Sequence, residues 1–226
     1  MKKRTAVIAA LVSLLPIAQA LVIRTGAVLT SSALLLSASQ EVQAESIEFY
    51  FNQGREKFSR GDNYGAISDY NKVIELNPRE ANAYYNRGLA KRKSGDNYGA
   101  ISDYNKSIEL NPNAEDAYYN RGFTKMLLKD YQGAISDYEK AIELNPNYER
   151  AHGMRGRALS EIGDSYGAIS AYNKVMKINP NSIKGLINRG IEKEKIKDMK
   201  GACSDWRKAS SLGDEDAAKW VRNQCN

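Results

Sequence analysis

The sequence predicts an all-α fold: five stacked helix–turn–helix units forming a solenoid, closed by a short C-terminal capping helix. Three observations predict it. Gly54, Gly88, Gly122, Gly156 and Gly190 recur at a constant 34-residue step. Ala66, Ala100, Ala134, Ala168 and Ala202 keep the same step, as does the aromatic series Tyr70, Tyr104, Tyr138, Tyr172 and Trp206. Pro78, Pro112, Pro146 and Pro180 close the first four units. A fixed period in this range marks stacked supersecondary units rather than one globular core. The array occupies 46–216, with units at 47–80, 81–114, 115–148, 149–182 and 183–216. Residues 1–45 precede it and 217–226 follow.

Residues 1–45 read as a targeting segment. Lys2, Lys3 and Arg4 lead into an uncharged, mostly apolar run over 5–23, the pattern of an export signal. Cleavage signatures end at Ala20 and at Ala44; the second is favoured, because cutting there releases the array at its first unit. The alternative is a retained anchor. The 5–23 run is nearly long enough to span a bilayer, 25–38 adds a second apolar stretch, and the basic start would stay inside. Cleavage at Ala20, cleavage at Ala44 and membrane association through 5–36 are all carried forward. No cysteine follows either cleavage site, which excludes a lipoprotein.

The first complete unit without a preceding leader, 81–114, shows how each repeat is built. Tyr84, Gly88 and Lys91 fall about one helical turn apart and suit a first helix. Gly95 then supplies a left-handed stop, and Asp96 or Asn97 a cap for the next helix. Ala100, Ile101, Tyr104, Ser107 and Ile108 form one face of that second helix. Asn111 before Pro112 ends it, since proline disfavours helix for the residue ahead of it. The small glycine and alanine positions let helix backbones approach closely, and the tyrosine fills the space beside them.

The last segment starts another helix after Asp214. Trp220 takes the place of Tyr84 in its own unit, with Ala217 and Val221 beside it and Lys219, Arg222 and Asn223 turned to water. That is the polar lid a solenoid needs at its end. Cys203 and Cys225 are the two cysteines. One reading joins them, in an exported chain, into a staple contributing about 3 kcal/mol on the chain-entropy model. The other makes them one buried and one exposed thiol.

Charge narrows the function classes. The chain carries a net charge of +6, of which Lys2, Lys3, Arg4 and Arg24 against Glu41 and Glu45 leave +2 before the array. The remaining +4 is spread over the rest, too dilute for a nucleic-acid stripe. His152 is the single histidine and stands where other units place a core tyrosine, so it reads as a packing residue. No metal set, catalytic triad or glycine-rich phosphate loop is present, and no cofactor is implied. The Gly-Asp-Asn turns at 61–63 and 95–97 lack the further carboxylates of a cation loop. Recurrent acids such as Asp69 and Glu75 read as surface pattern.

The repeated set Tyr84, Gly88, Ala100, Tyr104 and Pro112 resembles the tetratricopeptide repeat family, over 170 of 226 residues. The phrasing of the repeats is most similar to those of cyanobacterial and other bacterial proteins. His152 and Leu186 replace the first-helix aromatic, and Asp214 replaces the last proline. The resemblance implies a right-handed solenoid whose first helices line a concave groove for peptides. Carried over by position, that groove holds Arg55, Tyr85, Leu89, Arg92, Tyr119, Phe123, Met126, Arg150, Arg157 and Lys184, with Asn86 and Asn120 placed to bond a partner's backbone. Phe51 and Arg55 stand where carboxylate-gripping members carry lysine and asparagine, so that mode is not expected. An apolar centre bordered by arginines implies a partner segment with apolar anchors and some acidic character. The expected function is a non-enzymatic protein-interaction scaffold, exported to a periplasmic or other extracytoplasmic space, thylakoid lumen included. The alternative is a membrane-anchored assembly factor for an envelope or photosynthetic complex.

Overall fold

A computed structural model describes residues 31–225, with side chains described from residue 39 onward and for Leu36. The described residues form eleven helices: α1 (Ser31–Ser59), α2 (Asn63–Leu76), α3 (Ala81–Lys93), α4 (Asn97–Leu110), α5 (Glu115–Leu127), α6 (Tyr131–Leu144), α7 (Glu149–Glu161), α8 (Ser165–Ile178), α9 (Ile183–Lys195), α10 (Met199–Ser211) and α11 (Glu215–Gln224). They pack in sequential pairs, each pair resting on the next, and α11 covers α10. First helices of adjacent units also touch one another, while adjacent second helices stand further apart. The array therefore curves with its first helices on the inner side.

Each second helix starts on an aspartate. Asp62, Asp96, Asp130, Asp164 and Asp198 accept a hydrogen bond from the backbone N–H three residues on, at 2.8–2.9 Å. This satisfies a donor the helix cannot pair internally. In the cap pair left open by the sequence, Asp96 does the work and Asn97 begins the helix. Gly95 takes φ +92° at the turn, and Lys129 and Lys197 take the same left-handed conformation in the units that lack the glycine. At the far end Asn77, Asn111 and Asn179 are extended ahead of their prolines.

Close approach of the two helices in a unit is set by Gly88 and its counterparts. A Cβ on Gly88 would lie 2.8 Å from a ring carbon of Tyr104, and on Gly190 2.3 Å from the Trp206 indole nitrogen. Tyr70, Tyr104, Tyr138, Tyr172 and Trp206 are all buried, with Ala66, Ala100, Ala134, Ala168 and Ala202 at zero exposure beside them. His152 is buried too, and its Nε2 donates to the Pro146 carbonyl at 3.0 Å. Tyr84, itself half-buried, makes the matching bond to Pro78, so histidine here takes over the packing and the bond of a tyrosine.

One expectation is corrected. Asp69, read as surface pattern, is buried, as are Asp103, Asp137 and Asp205 at the same place in their units; Glu75 is exposed as expected. Each buried aspartate is paired. Arg87 Nε and Nη2 hold Asp103 at 2.8 and 2.6 Å, and Lys91 adds a third contact at 2.9 Å. Arg121 with Lys125 repeats this on Asp137, and Arg189 with Lys193 on Asp205. Asp69 has Lys57. In the fourth unit lysine and aspartate are replaced together, by Leu159 and Ala171, and Arg155 turns to Glu139 instead.

The first helix of unit one departs from the others. It runs back to Ser31 without a break, because neither proline nor glycine interrupts 31–53. The boundary expected at 45/46 thus falls inside α1, as does Ala44. Gln43 Nε2 donates to the Leu76 carbonyl at 2.7 Å, tying this extension to the array. Ala20 and most of the 5–36 segment lie outside the described residues. Among the described residues no helix is long and apolar enough to cross a membrane.

At the other end, Ala217 is buried and Trp220 and Val221 pack against Leu186 and Trp206. The two indoles meet at 5.4 Å. Asp214 caps α11 by accepting from Ala217 N at 2.8 Å. Cys203 and Cys225 are disulfide-bonded, with Cα atoms 5.6 Å apart, which fastens the end of α11 to α10.

Candidate partner-binding face

The first helices α1, α3, α5, α7 and α9 line the inner side of the curve, so residues at their second, fifth, ninth and twelfth positions face it or bridge between neighbours. Bridging consumes several of them. Arg92 lies over the Phe123 ring at 5.0 Å and Arg150 over the Tyr119 ring at 4.8 Å, joining consecutive first helices by cation–π contacts. Tyr119 is only 5 % exposed, tilted against Tyr138 at 5.8 Å and Tyr148 at 5.2 Å. It is chiefly a packing residue with one edge left to the groove. Met126 leans on the same core.

The asparagines are also engaged within the chain. Asn86 Nδ2 donates to the Asn82 carbonyl at 2.8 Å. Asn120 Nδ2 donates to the Asp116 carbonyl at 2.8 Å and to the Tyr85 hydroxyl at 3.0 Å. Burial pushes the Tyr85 phenol well above its ordinary pKa, and the Asp116 carboxylate adds to the shift. Tyr85 and Leu89 are half-buried, while Arg55, Arg150, Arg157 and Lys184 are exposed. Between units four and five Ser160 Oγ and Lys195 Nζ both bond Glu192, at 2.6 and 2.7 Å. Burial alone would raise the Glu192 carboxyl; hydrogen bonding to Lys195, Ser160 and Ser165, with the Lys195 charge, holds it below the usual glutamate range.

Hollows open on this face among the described residues, two of them between first helices. A smaller one, about 250 Å³, lies between α3 and α5 beside Tyr85, Asn82 and Asp116. The larger, about 340 Å³, lies between α7 and α9. Tyr119, Met154, Tyr172 and Val175 form its apolar floor and walls, and Arg150, Arg157 and Lys184 stand around it with Glu149. Gly153, Ser182, Gly185 and Asn188 complete the lining. We refer to this hollow as the notch. The sequence reading placed Arg150, Arg157, Lys184 and Tyr119 on the groove, and the fold gathers all four at this one spot. Gly153 occupies the fifth position of its unit, which the family pattern turns to the groove, whereas Met154, Val175 and Gly185 were not expected there and Tyr172 was expected only in the core. Tyr172 and Val175 come from a second helix, so a reading confined to first-helix positions does not reach them.

Among the described residues no cluster of three or more metal-ligating side chains forms. What the larger hollow offers is shape, apolar surface and positive charge.

Comparisons agree with this architecture. Family models described as tetratricopeptide repeat match 115–148 and 137–170, and one described as TPR repeat matches 54–95 and 88–129, together spanning 54–170. Curated proteins give no match. Among solved structures, a crystal structure of MamA superposes with a TM-score of 0.70 at 26 % identity, covering 80 % of this chain and 97 % of that one. YrrB, described as a TPR protein with an unusual peptide-binding site, shares the fold at 23 % identity and a TM-score of 0.67, over 76 % of this chain and 90 % of its own. PilF of Pseudomonas aeruginosa does so at 17 % identity and 0.69, over 81 % and 87 %. The helix pairs, their period and these matches lead to one conclusion: the chain belongs to the tetratricopeptide repeat family.

Proposed function

We propose that this chain is a non-catalytic docking protein that holds a segment of another protein against its inner face. Tetratricopeptide repeat proteins generally mediate protein–protein interactions. The observation that carries the reading is the notch, where apolar walls and three exposed cations converge on the inner face. Cations above an apolar floor favour a partner with apolar anchors and acidic neighbours, because burial supplies affinity while charge selects the partner and speeds encounter. Affinity capture from native extract tests it, with the full chain compared against an Arg157→Glu/Lys184→Glu variant. Both side chains are exposed and make no ion pair among the described residues, so the variant is expected to keep its fold by circular dichroism. Partners retained by the wild type and lost by the variant are the expected result. The same catch from both would move the function to another surface.

The proposed setting is outside the cytoplasm, supported by the basic start and apolar run over 2–23 and by the Cys203–Cys225 bond, which suits an oxidising compartment. A retained anchor, with the array acting as a membrane-tethered assembly factor, is the second reading. The continuity of α1 from Ser31 into the first unit favours it, since a helix without a break would couple an anchor rigidly to the array. N-terminal sequencing of the native chain separates them: a start at Glu45 excludes the tether, and an intact Met1 excludes cleavage.

A further inference from the structure

We propose that the notch between α7 and α9 is an anchor subsite. It takes one large apolar side chain, aromatic or branched aliphatic, from a partner segment whose flanking residues on both sides are acidic. This rests on the groove-binding reading above and narrows it to a register on the array, with Gly153 as the residue that sets specificity.

The fifth position of the repeat explains the hollow. Units one to three fill it with Phe51, Tyr85 and Tyr119. Their rings pack against Tyr70, Tyr104 and Tyr138 at 5.8, 6.1 and 5.8 Å. Unit four has Gly153 there, and a Cβ added to it would meet only Val175 Cγ2, at 3.9 Å. Tyr172 therefore lacks the companion ring its counterparts have, and the cavity of about 340 Å³ stands in that ring's place. Gly185 shapes the far wall. A Cβ there would come within 2.9 Å of Val175 and 3.0 Å of Met176, so only glycine lets α9 sit this close. The space is the size of ordinary small-ligand and side-chain pockets.

Charge decides what surrounds the anchor. Arg87, Arg121 and Arg189 are committed to buried aspartates. Arg157 and Lys184 make no ion pair among the described residues, and both line the notch. Arg150 is held at its edge by the Tyr119 ring. Among the residues that line the notch the one carboxylate is Glu149, itself bonded by Asn179 Nδ2 at 3.3 Å, while Asp116 acts on Arg150 from outside it. A basic or neutral segment would leave the cations uncompensated, whereas carboxylates on either side of the anchor would pair with them.

Fluorescence anisotropy on the full chain tests the assignment. The probes are labelled, end-capped synthetic peptides: Asp-Glu-Phe-Glu-Asp, the same with Ala for Phe, and the same with Lys for every acid. The phenylalanine acidic peptide is expected to bind at least tenfold more tightly than either control. Gly153→Leu, which fills the notch from a backbone already helical, is expected to weaken that binding at least tenfold without lowering the melting temperature. Equal binding of the Phe and Ala peptides, preference for the Lys peptide, or unchanged binding by Gly153→Leu overturns the subsite. If no acidic peptide binds while capture from extract still depends on Arg157 and Lys184, the subsite falls and the groove reading stands. If both experiments fail, the groove reading falls with it.

Discussion

Gly88 and Gly153 both sit in first helices, yet an added methyl group meets opposite surroundings at each. On Gly88 it would press on the Tyr104 ring at 2.8 Å, and that ring is fully buried with nowhere to retreat. Gly88→Ala is therefore expected to cost about 1–3 kcal/mol, the usual range for overpacking. On Gly153 the methyl meets only Val175 at 3.9 Å. There Gly153→Ala is expected to stabilise by about 0.5–1 kcal/mol through helix propensity alone. Thermal melts of both variants check the sign, and a stabilised Gly88→Ala would sink the close-approach argument. The Gly88 role was legible in the sequence, because a glycine and a large aromatic residue kept the same offset in every unit. The Gly153 role was not. Knowing that its space is vacant requires knowing that Phe51, Tyr85 and Tyr119 pack against the second-helix aromatic of their own unit.

At the scale of the helix pair, the buried aspartate with its arginine and lysine ties the first helix to the second. Asp137 is 3 % exposed and bonded by both Arg121 and Lys125. Removing it strands two cations in a nearly closed site, so Asp137→Ala is expected to cost about 3–5 kcal/mol. Unit four indicates the remedy. With Leu159 and Ala171 in place of the pair, that unit closes on apolar contacts and Arg155 finds Glu139. Lys125→Leu combined with Asp137→Ala is accordingly expected to recover at least half the loss in urea denaturation followed by circular dichroism. A double variant no more stable than the single one would mean that the charges, not the fit, hold the helices together. A charged residue at helical spacing reads as solvent-facing, which is why Asp69 and its counterparts were placed on the surface. The signal that could have corrected this was the joint loss of lysine and aspartate in unit four, a covariation inside one chain.

At the scale of the whole molecule, the described residues pack unit against neighbouring unit, so stability should be a sum of unit and interface terms rather than one cooperative quantity. The C-terminal lid is the place to see this. The helix α11 rests on α10, shielding Trp206 with Trp220 and Val221. The Cys203–Cys225 bond, closing a sequence separation of 22, fastens its far end. On the chain-entropy model such a loop contributes about 3 kcal/mol, a large share for a ten-residue helix held otherwise by the burial of Ala217 and the packing of Trp220 and Val221. Reduction, or Cys203→Ser with Cys225→Ser, is therefore expected to speed amide hydrogen exchange across 199–225 while leaving 63–144 as slow as before. The solenoid period, the aromatic core and the lid could all be read from the chain; the locality of their failure follows from the contacts. Faster exchange spread evenly from α2 to α11 would instead mean that the array melts as one body. In that case local change at the lid would reach the notch, and partner capture would become sensitive to reduction although neither cysteine lines the groove.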